Sequence, residues 1–277
     1  MERTVPERPS DRAADRPSHR ASDRASDRAR DVAERASEAA HDVADRATEV
    51  AHDVAERAHE LAHDLAVAIK PRLRGVLHEA AFAISLVTGT VLICLADTGR
   101  ERAAVSVYAA SVALLFGTSA AYHRGSWSPR AHAVMARLDH SMIFVLIAGT
   151  YTPFAVLLLD GATRWTVLGV VWGGALTGIL LRNAPHRPPQ WVFVLLYLAL
   201  GWVALGFLPA ILRSGGVAVL VLLLAGGALY SAGAVVYATR RPDPSPRWFG
   251  FHEVFHALTL AAFATHYVAV SFATYSS

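Results

Sequence analysis

The chain has 277 residues and nearly balanced charge, 26 Lys and Arg against 23 Asp and Glu. A net charge of +3 offers no broad basic field for nucleic acid, and the single cysteine, Cys94, excludes any disulfide within the chain. The mean hydropathy of +0.33 averages two unlike parts: residues 1–78 are rich in Arg, Asp, Glu and Ala, and residues 79–277 in Leu, Val, Ala, Gly and aromatics.

Residues 1–29, with DRAADR and Ser-Asp-Arg runs, have the composition of a disordered tail. The first 60 residues contain no apolar core segment of a signal peptide, so the first membrane span is expected to act as the targeting signal. From residue 30 the chain repeats every 11 residues: RDVAERASEAA, HDVADRATEVA, HDVAERAHELA, then HDLAVAIK. Eleven residues make close to three helical turns, so Val32, Val43, Val54 and Leu65 form one slowly drifting stripe. The pattern predicts an amphipathic helix over 30–70, lying on a membrane surface or pairing with a second copy of itself. Nucleic acid is not its partner, because Asp and Glu offset Arg throughout. His41, His52, His59 and His63 recur at spacings that suit surface positions of the repeat as well as metal ligands.

Residues 71–277 read as a membrane domain. Seven apolar runs, near 80–96, 103–122, 138–159, 164–181, 191–212, 216–238 and 250–272, approach the roughly 17–25 residues needed to cross a bilayer. They are too long and continuous for barrel strands, so the expected fold is an all-α, seven-transmembrane helix bundle. Lys70, Arg72, Arg74, Arg124, Arg130, Arg137, Arg182, Arg187, Arg240, Arg241 and Arg247 fall on one side of the seven runs. The other side has Arg100, Arg102, Arg164 and Arg213. The excess predicts a cytoplasmic N-terminus and an outside C-terminus in the cell membrane, with Trp127, Trp165, Trp191 and Trp248 as interfacial anchors. Cys94 reads as a small buried apolar residue of the first span. Pro153 and Pro209 are expected to kink their helices, and Gly149, Gly169, Gly173, Gly174, Gly178, Gly226 and Gly227 to let helices approach closely.

Five polar residues stand at the cytoplasmic ends of these runs. Ser119 and His123 share a helix face at a spacing of four, Asp139 opens the third run, and His252 and His256 repeat the spacing of four at the start of the seventh. His256 lies about 6 Å deeper than His252. Ionisable groups at membrane depth face the bundle interior and mark function. Three neutral imidazoles suit Zn²⁺ and leave a fourth position open, and Asp139 supplies the compensating charge, directly or through a bound water. Ser119 could hold that water or orient a ligand. HEVFH at 252–256 also matches the HExxH pattern of zinc proteases, whose Glu is general base. Against that reading, Ala262 occupies the extended-motif position, and His266 lies about 21 Å along the helix from His252, beyond reach of the same ion. Glu253 points about 100° away from His252. Tyr151, Thr152 and His140 are candidates to line or support the site.

The stretches SAAYHRGSW, RLDHSMIFVLIAGTYTPF and FGFHEVFHALT resemble the haemolysin III family, part of the progestin and adipoQ receptor group of seven-helix membrane proteins. The resemblance spans roughly residues 70–275 and leaves the repeat outside. It implies zinc on His123, His252 and His256, Asp139 acting through a zinc-bound water, and Ser119 in support. Relatives are labelled haemolysins, channels or receptors, and eukaryotic ones are linked to hydrolysis of lipid amides such as ceramide. The expected function is a zinc-dependent hydrolase of a membrane lipid amide or ester. The alternatives are a receptor or stress sensor with a structural zinc and a pore-forming cytolysin. No run carries the polar stripe of an aqueous pore, which speaks against the last.

Overall fold

A computed structural model describes residues 17–68, 71–186 and 188–275. Expectations for residues 1–16, for Arg187 and for the side chains of His59, His63 and Leu65 lie outside the described residues. The chain divides after Ala68 into two units.

The first unit carries one helix, α1 (Pro17–Ala68). It begins inside the stretch expected to be disordered. Pro is favoured in a first helical turn, and Ala and Arg are strong helix formers, so a composition too polar for a core still makes a helix. The 11-residue period reappears as three ion pairs in register, Arg35–Asp31 at 2.9 Å, Arg46–Asp42 at 2.9 Å and Arg57–Asp53 at 3.1 Å. Such exposed pairs contribute only about 0.3–0.5 kcal/mol each. Val32, Val43 and Val54 are exposed along the expected stripe.

The second unit is all helical: α2 (Val76–Cys94), α3 (Gly99–Arg124), α4 (Pro129–Leu158), α5 (Gly161–Asn183), α6 (Gln190–Gly201), a 3₁₀ turn (Val203–Phe207), α7 (Leu208–Thr239) and α8 (Phe251–Tyr275). Among the described residues, six helical runs are long and apolar enough to cross a membrane, with Gln190–Thr239 counted as one run of 50 residues. Within that run Gly216 takes φ 74°, ψ 178°, a non-helical conformation between the stretches that hydropathy separates. Pro209 does not kink a helix interior. It sits in the first turn of α7, after the 3₁₀ turn, where its missing N–H costs nothing.

Capping chemistry moves two helix starts from where hydropathy places them. Thr98 and Glu101 form a reciprocal capping box, so α3 opens at Gly99. Ser128 caps α4 with Pro129 in its first turn, so Asp139 lies about three turns inside the helix rather than at its mouth.

The helices close into a bundle in which α2 meets both α3 and α8. Added Cβ atoms at Gly149, Gly174, Gly178 and Gly226 would collide with Ser111, Leu200, Phe144 and His266, which explains their small size; at Gly169 and Gly173 nothing lies within 4 Å. Cys94 is exposed rather than buried. An outward face that meets lipid has no reason to hide an apolar side chain. Trp127, Trp165, Trp191 and Trp248 are all exposed near helix ends.

The entry to α2 is tied to the entry to α8. The amides of Arg72 and Leu73 donate to the carbonyls of Arg247 and Trp248 at 3.0 and 3.2 Å. The Arg72 guanidinium stands 4.6 Å over the Trp248 ring. Arg74 Nε donates to Glu253 Oε1 at 2.5 Å, while Glu253 Oε2 accepts the Gly250 amide at 2.9 Å and caps α8. Glu253 is 1% exposed, so its charge depends on these partners.

Removing Glu253 strands a cation and an uncapped helix end. Glu253→Ala is expected to lower stability by about 3 kcal/mol, read from thermal unfolding in detergent, and the Arg74→Ala/Glu253→Ala pair by less than the two single losses added together. An unfolding midpoint unchanged by Glu253→Ala would show that the clamp carries no weight.

Candidate functional site

Three helices bring together the five residues singled out by their place at span ends. Ser119 and His123, one turn apart on the inner face of α3, are 2% and 6% exposed. Gly75 makes room for His123: its backbone is left-handed at φ 82°, and a Cβ there would stand 2.6 Å from the His123 Cβ. From α8 come His252, half-buried, and His256, 2% exposed. The ring nitrogens of His123, His252 and His256 can all lie within 4.8 Å of one another, the one group among the described residues arranged to hold a metal ion. His41 and His52 of α1 join no such group among the described residues.

The donor set fits a metal. His252 Nε2 and His123 Nε2 face each other at 3.1 Å. Two imidazole nitrogens ligating one tetrahedral ion at about 2.0–2.1 Å would stand only a little further apart, at about 3.3 Å. His256 Nδ1 is buried without a hydrogen-bond partner among the described residues. Three uncharged nitrogen donors in an apolar setting suit zinc better than calcium or magnesium, which prefer oxygen.

Asp139 approaches from α4. Its Oδ2 lies 4.0 Å from His123 Nε2 and 4.0 Å from His140 Nδ1, and Ser119 lines the same cavity as Asp139. Glu253 takes no part. Both of its oxygens are spent on Arg74 and Gly250, so the general base of the protease reading is absent. His266 is also elsewhere: its Nε2 donates to the Leu223 carbonyl at 3.1 Å.

An apolar cavity of about 140 Å³ leads away from these groups. Its lining includes Ser119, Asp139, His252 and His256 at one end and Tyr230 and His266 at the other. Tyr151 and Thr150 contribute to the wall. Thr152 instead bonds the Ala148 carbonyl at 2.9 Å and accepts the Trp172 indole at 3.2 Å, a packing role.

Two neighbours escaped the search for polar groups at span ends. His78, 3% exposed in the first turn of α2, stacks on His256 with ring centroids 3.6 Å apart. The same reasoning that picks His252 applies to it, since it too is a polar residue at the edge of an apolar run. Tyr237 donates to His140 from α7. In the sequence it is indistinguishable from an interfacial tyrosine.

Residues 67–267 match the family described as "Haemolysin-III related". The chain is 30% identical over 200 residues to "Hemolysin-3" of Bacillus cereus, covering 71% of this chain and 88% of that one. It is 32% identical over 160 residues to the "Heptahelical transmembrane protein ADIPOR2" of Oryza sativa subsp. japonica, 52% of this chain and 69% of the relative. With the Homo sapiens "Monocyte to macrophage differentiation factor" it shares 23% over 198 residues, 70% of this chain and 79% of that protein.

Neither ring nitrogen of His78 has a hydrogen-bond partner among the described residues. His78→Phe keeps the stack on His256 and removes two buried polar atoms, so thermal stability is expected to hold or rise. A fall of several degrees would mean that a bound water serves those nitrogens.

Proposed function

The chain belongs to the haemolysin III family, within the progestin and adipoQ receptor group, and we propose on that premise that it is a zinc-dependent hydrolase of a membrane lipid amide or ester. The observation that carries this reading is the imidazole trio, with a carboxylate 4.0 Å from one of its rings, and with that carboxylate, His252 and His256 on the wall of an apolar cavity. His123, His252 and His256 would hold the zinc. When bound, zinc polarises a carbonyl and acidifies water toward neutral pH. The remaining work falls to the chain's own groups. Asp139 Oδ2, steadied by Ser119, takes the proton released as the nucleophile forms and returns it to the leaving nitrogen or oxygen. The apolar walls take the hydrocarbon chain and exclude bulk water, which strengthens the electrostatics at the reacting carbon.

The same proposal includes the topology. The non-helical Gly216 divides the 50-residue run into two spans and makes seven, with a cytoplasmic N-terminus in the plasma membrane on the strength of the basic-residue excess. The trio then sits near the cytoplasmic face, within reach of inner-leaflet lipid. Helix α1, taken by itself, is proposed to lie on a membrane surface or to pair with a second copy of itself.

A second reading has a specific observation in its favour. The donors come from α3 and α8, which pack directly, so an ion would staple them without catalysis. Metal analysis of purified protein should find about one zinc per chain, lost in His123→Ala and His256→Ala. Asp139→Asn should keep the metal and lose about 10²–10⁴-fold in fatty-acid release from ceramide-like lipids. Full turnover in Asp139→Asn, or wild type without metal, sinks the hydrolase. Metal without turnover, together with a lower unfolding midpoint on chelation, supports the staple.

A further inference from the structure

Several polar groups on the wall of this apolar cavity are already spent on neighbours. The hydroxyls of Tyr151, Ser231 and Thr259 donate to the carbonyls of Gly201, Gly227 and Phe255 at 2.7, 2.8 and 3.0 Å. The Trp202 indole N–H goes to Ser231 at 2.9 Å. One further hydrogen-bonded pair stands beside the trio, and its protons can be assigned as well.

His140 Nδ1 lies 2.7 Å from the Ala136 carbonyl. A carbonyl only accepts, so Nδ1 carries the ring hydrogen, and Nε2 is the lone-pair nitrogen of the neutral imidazole. Tyr237 Oη, 3.0 Å from Nε2, must therefore be the donor. A phenol has one proton, and this one is committed. What Tyr237 can offer a ligand is its oxygen lone pairs, and nothing to donate. The arrangement is held from three helices. Tyr197 of α6 donates to the His140 carbonyl at 3.0 Å, and the Tyr237 ring packs on Phe255 and His252 of α8 at 5.2 and 5.9 Å. Both Tyr237 and His140 line the cavity, next to His252 and Asp139.

We propose that Tyr237 is a specificity-determining residue of this cavity, accepting a hydrogen bond from an amide N–H or hydroxyl of the ligand. The cavity then prefers donor-bearing lipids over esters and tertiary amides of equal chain length, which place only lone pairs against the phenol oxygen. The choice of ligand class rests on the lipid-hydrolase reading. The proton assignment rests on the His140 geometry alone.

Binding, not turnover, tests it. Purified full-length protein in detergent is titrated with N-butyl palmitamide, N-butyl-N-methyl palmitamide and butyl palmitate, followed by tryptophan fluorescence, with short incubations checked for intact lipid. Wild type is expected to bind the secondary amide about five- to ten-fold more tightly than the other two, the range for one hydrogen bond. Tyr237→Phe should level the three, with ester affinity unchanged. His140→Leu frees the phenol proton and should raise the ester and the tertiary amide toward the secondary amide. The inference is overturned if Tyr237→Phe keeps the preference, if wild type shows none, or if no probe binds. If Tyr237→Phe does not fold, the direction of change in His140→Leu decides alone. A preserved binding preference with no hydrolysis overturns the hydrolase reading and leaves this one standing.

Discussion

Glu253 is a carboxylate with almost no access to solvent, 1% exposed at the first turn of the last helix. A charge in that position must be paired, and the cation that pairs it, Arg74, belongs to the segment leading into α2. The pair therefore joins the two ends of a domain more than 170 residues apart in the chain, with |i−j| of 179. Backbone bonds from Arg72 and Leu73 and the stacking of Arg72 on Trp248 extend the same join. With α2 and α8 in register, His78 meets His256, Gly75 passes His123, and His252 turns to face His123. The join thus fixes the entry of α8, which carries two of the three imidazoles, against α2, which packs on the helix carrying the third.

The setting explains why the polar groups are so few and so concentrated. In a chain whose outward faces meet lipid, burial of apolar side chains gives no preference between inside and outside, and helix association relies on close packing and hydrogen bonds. Leu86, Val87, Leu180 and Trp165 face outward at no cost. Inside, each polar group has to find a partner or bind something. Most find one in a nearby carbonyl, as Thr259 and Ser231 do. In the trio, one ring nitrogen from each histidine lies within 4.8 Å of the others, an arrangement suited to an ion between them.

The site and the cavity are thus two consequences of one packing arrangement. α3 supplies His123 and Ser119, α4 supplies Asp139 and His140, α8 supplies the remaining imidazoles, and α6 and α7 close the wall with Tyr197 and Tyr237. Tyr237 is hydrogen-bonded to the histidine beside Asp139, which ties α4 to α7 at the edge of the candidate site. The HExxH pattern is a useful caution. Its two histidines sit where the pattern would have them, but its glutamate is turned away into a helix cap.

Local signals determined much of this protein. The apolar runs, the 11-residue period with its recurring Asp–Arg pairs, the family resemblance and the five residues of the candidate site are all legible along the chain, because a membrane span and an i, i+4 pair are properties of neighbouring residues. Helix starts at Gly99 and Pro129 were there to be read in capping residues but not in hydropathy, so the depth of Asp139 depended on which signal was followed. Tertiary structure alone decided the partner of Glu253, the stack of His78 on His256, the outward face of Cys94 and the proton commitment of Tyr237. Each of these depends on which face of one helix meets which face of another. Hydropathy cannot supply that, because lipid and protein interior are equally apolar to it.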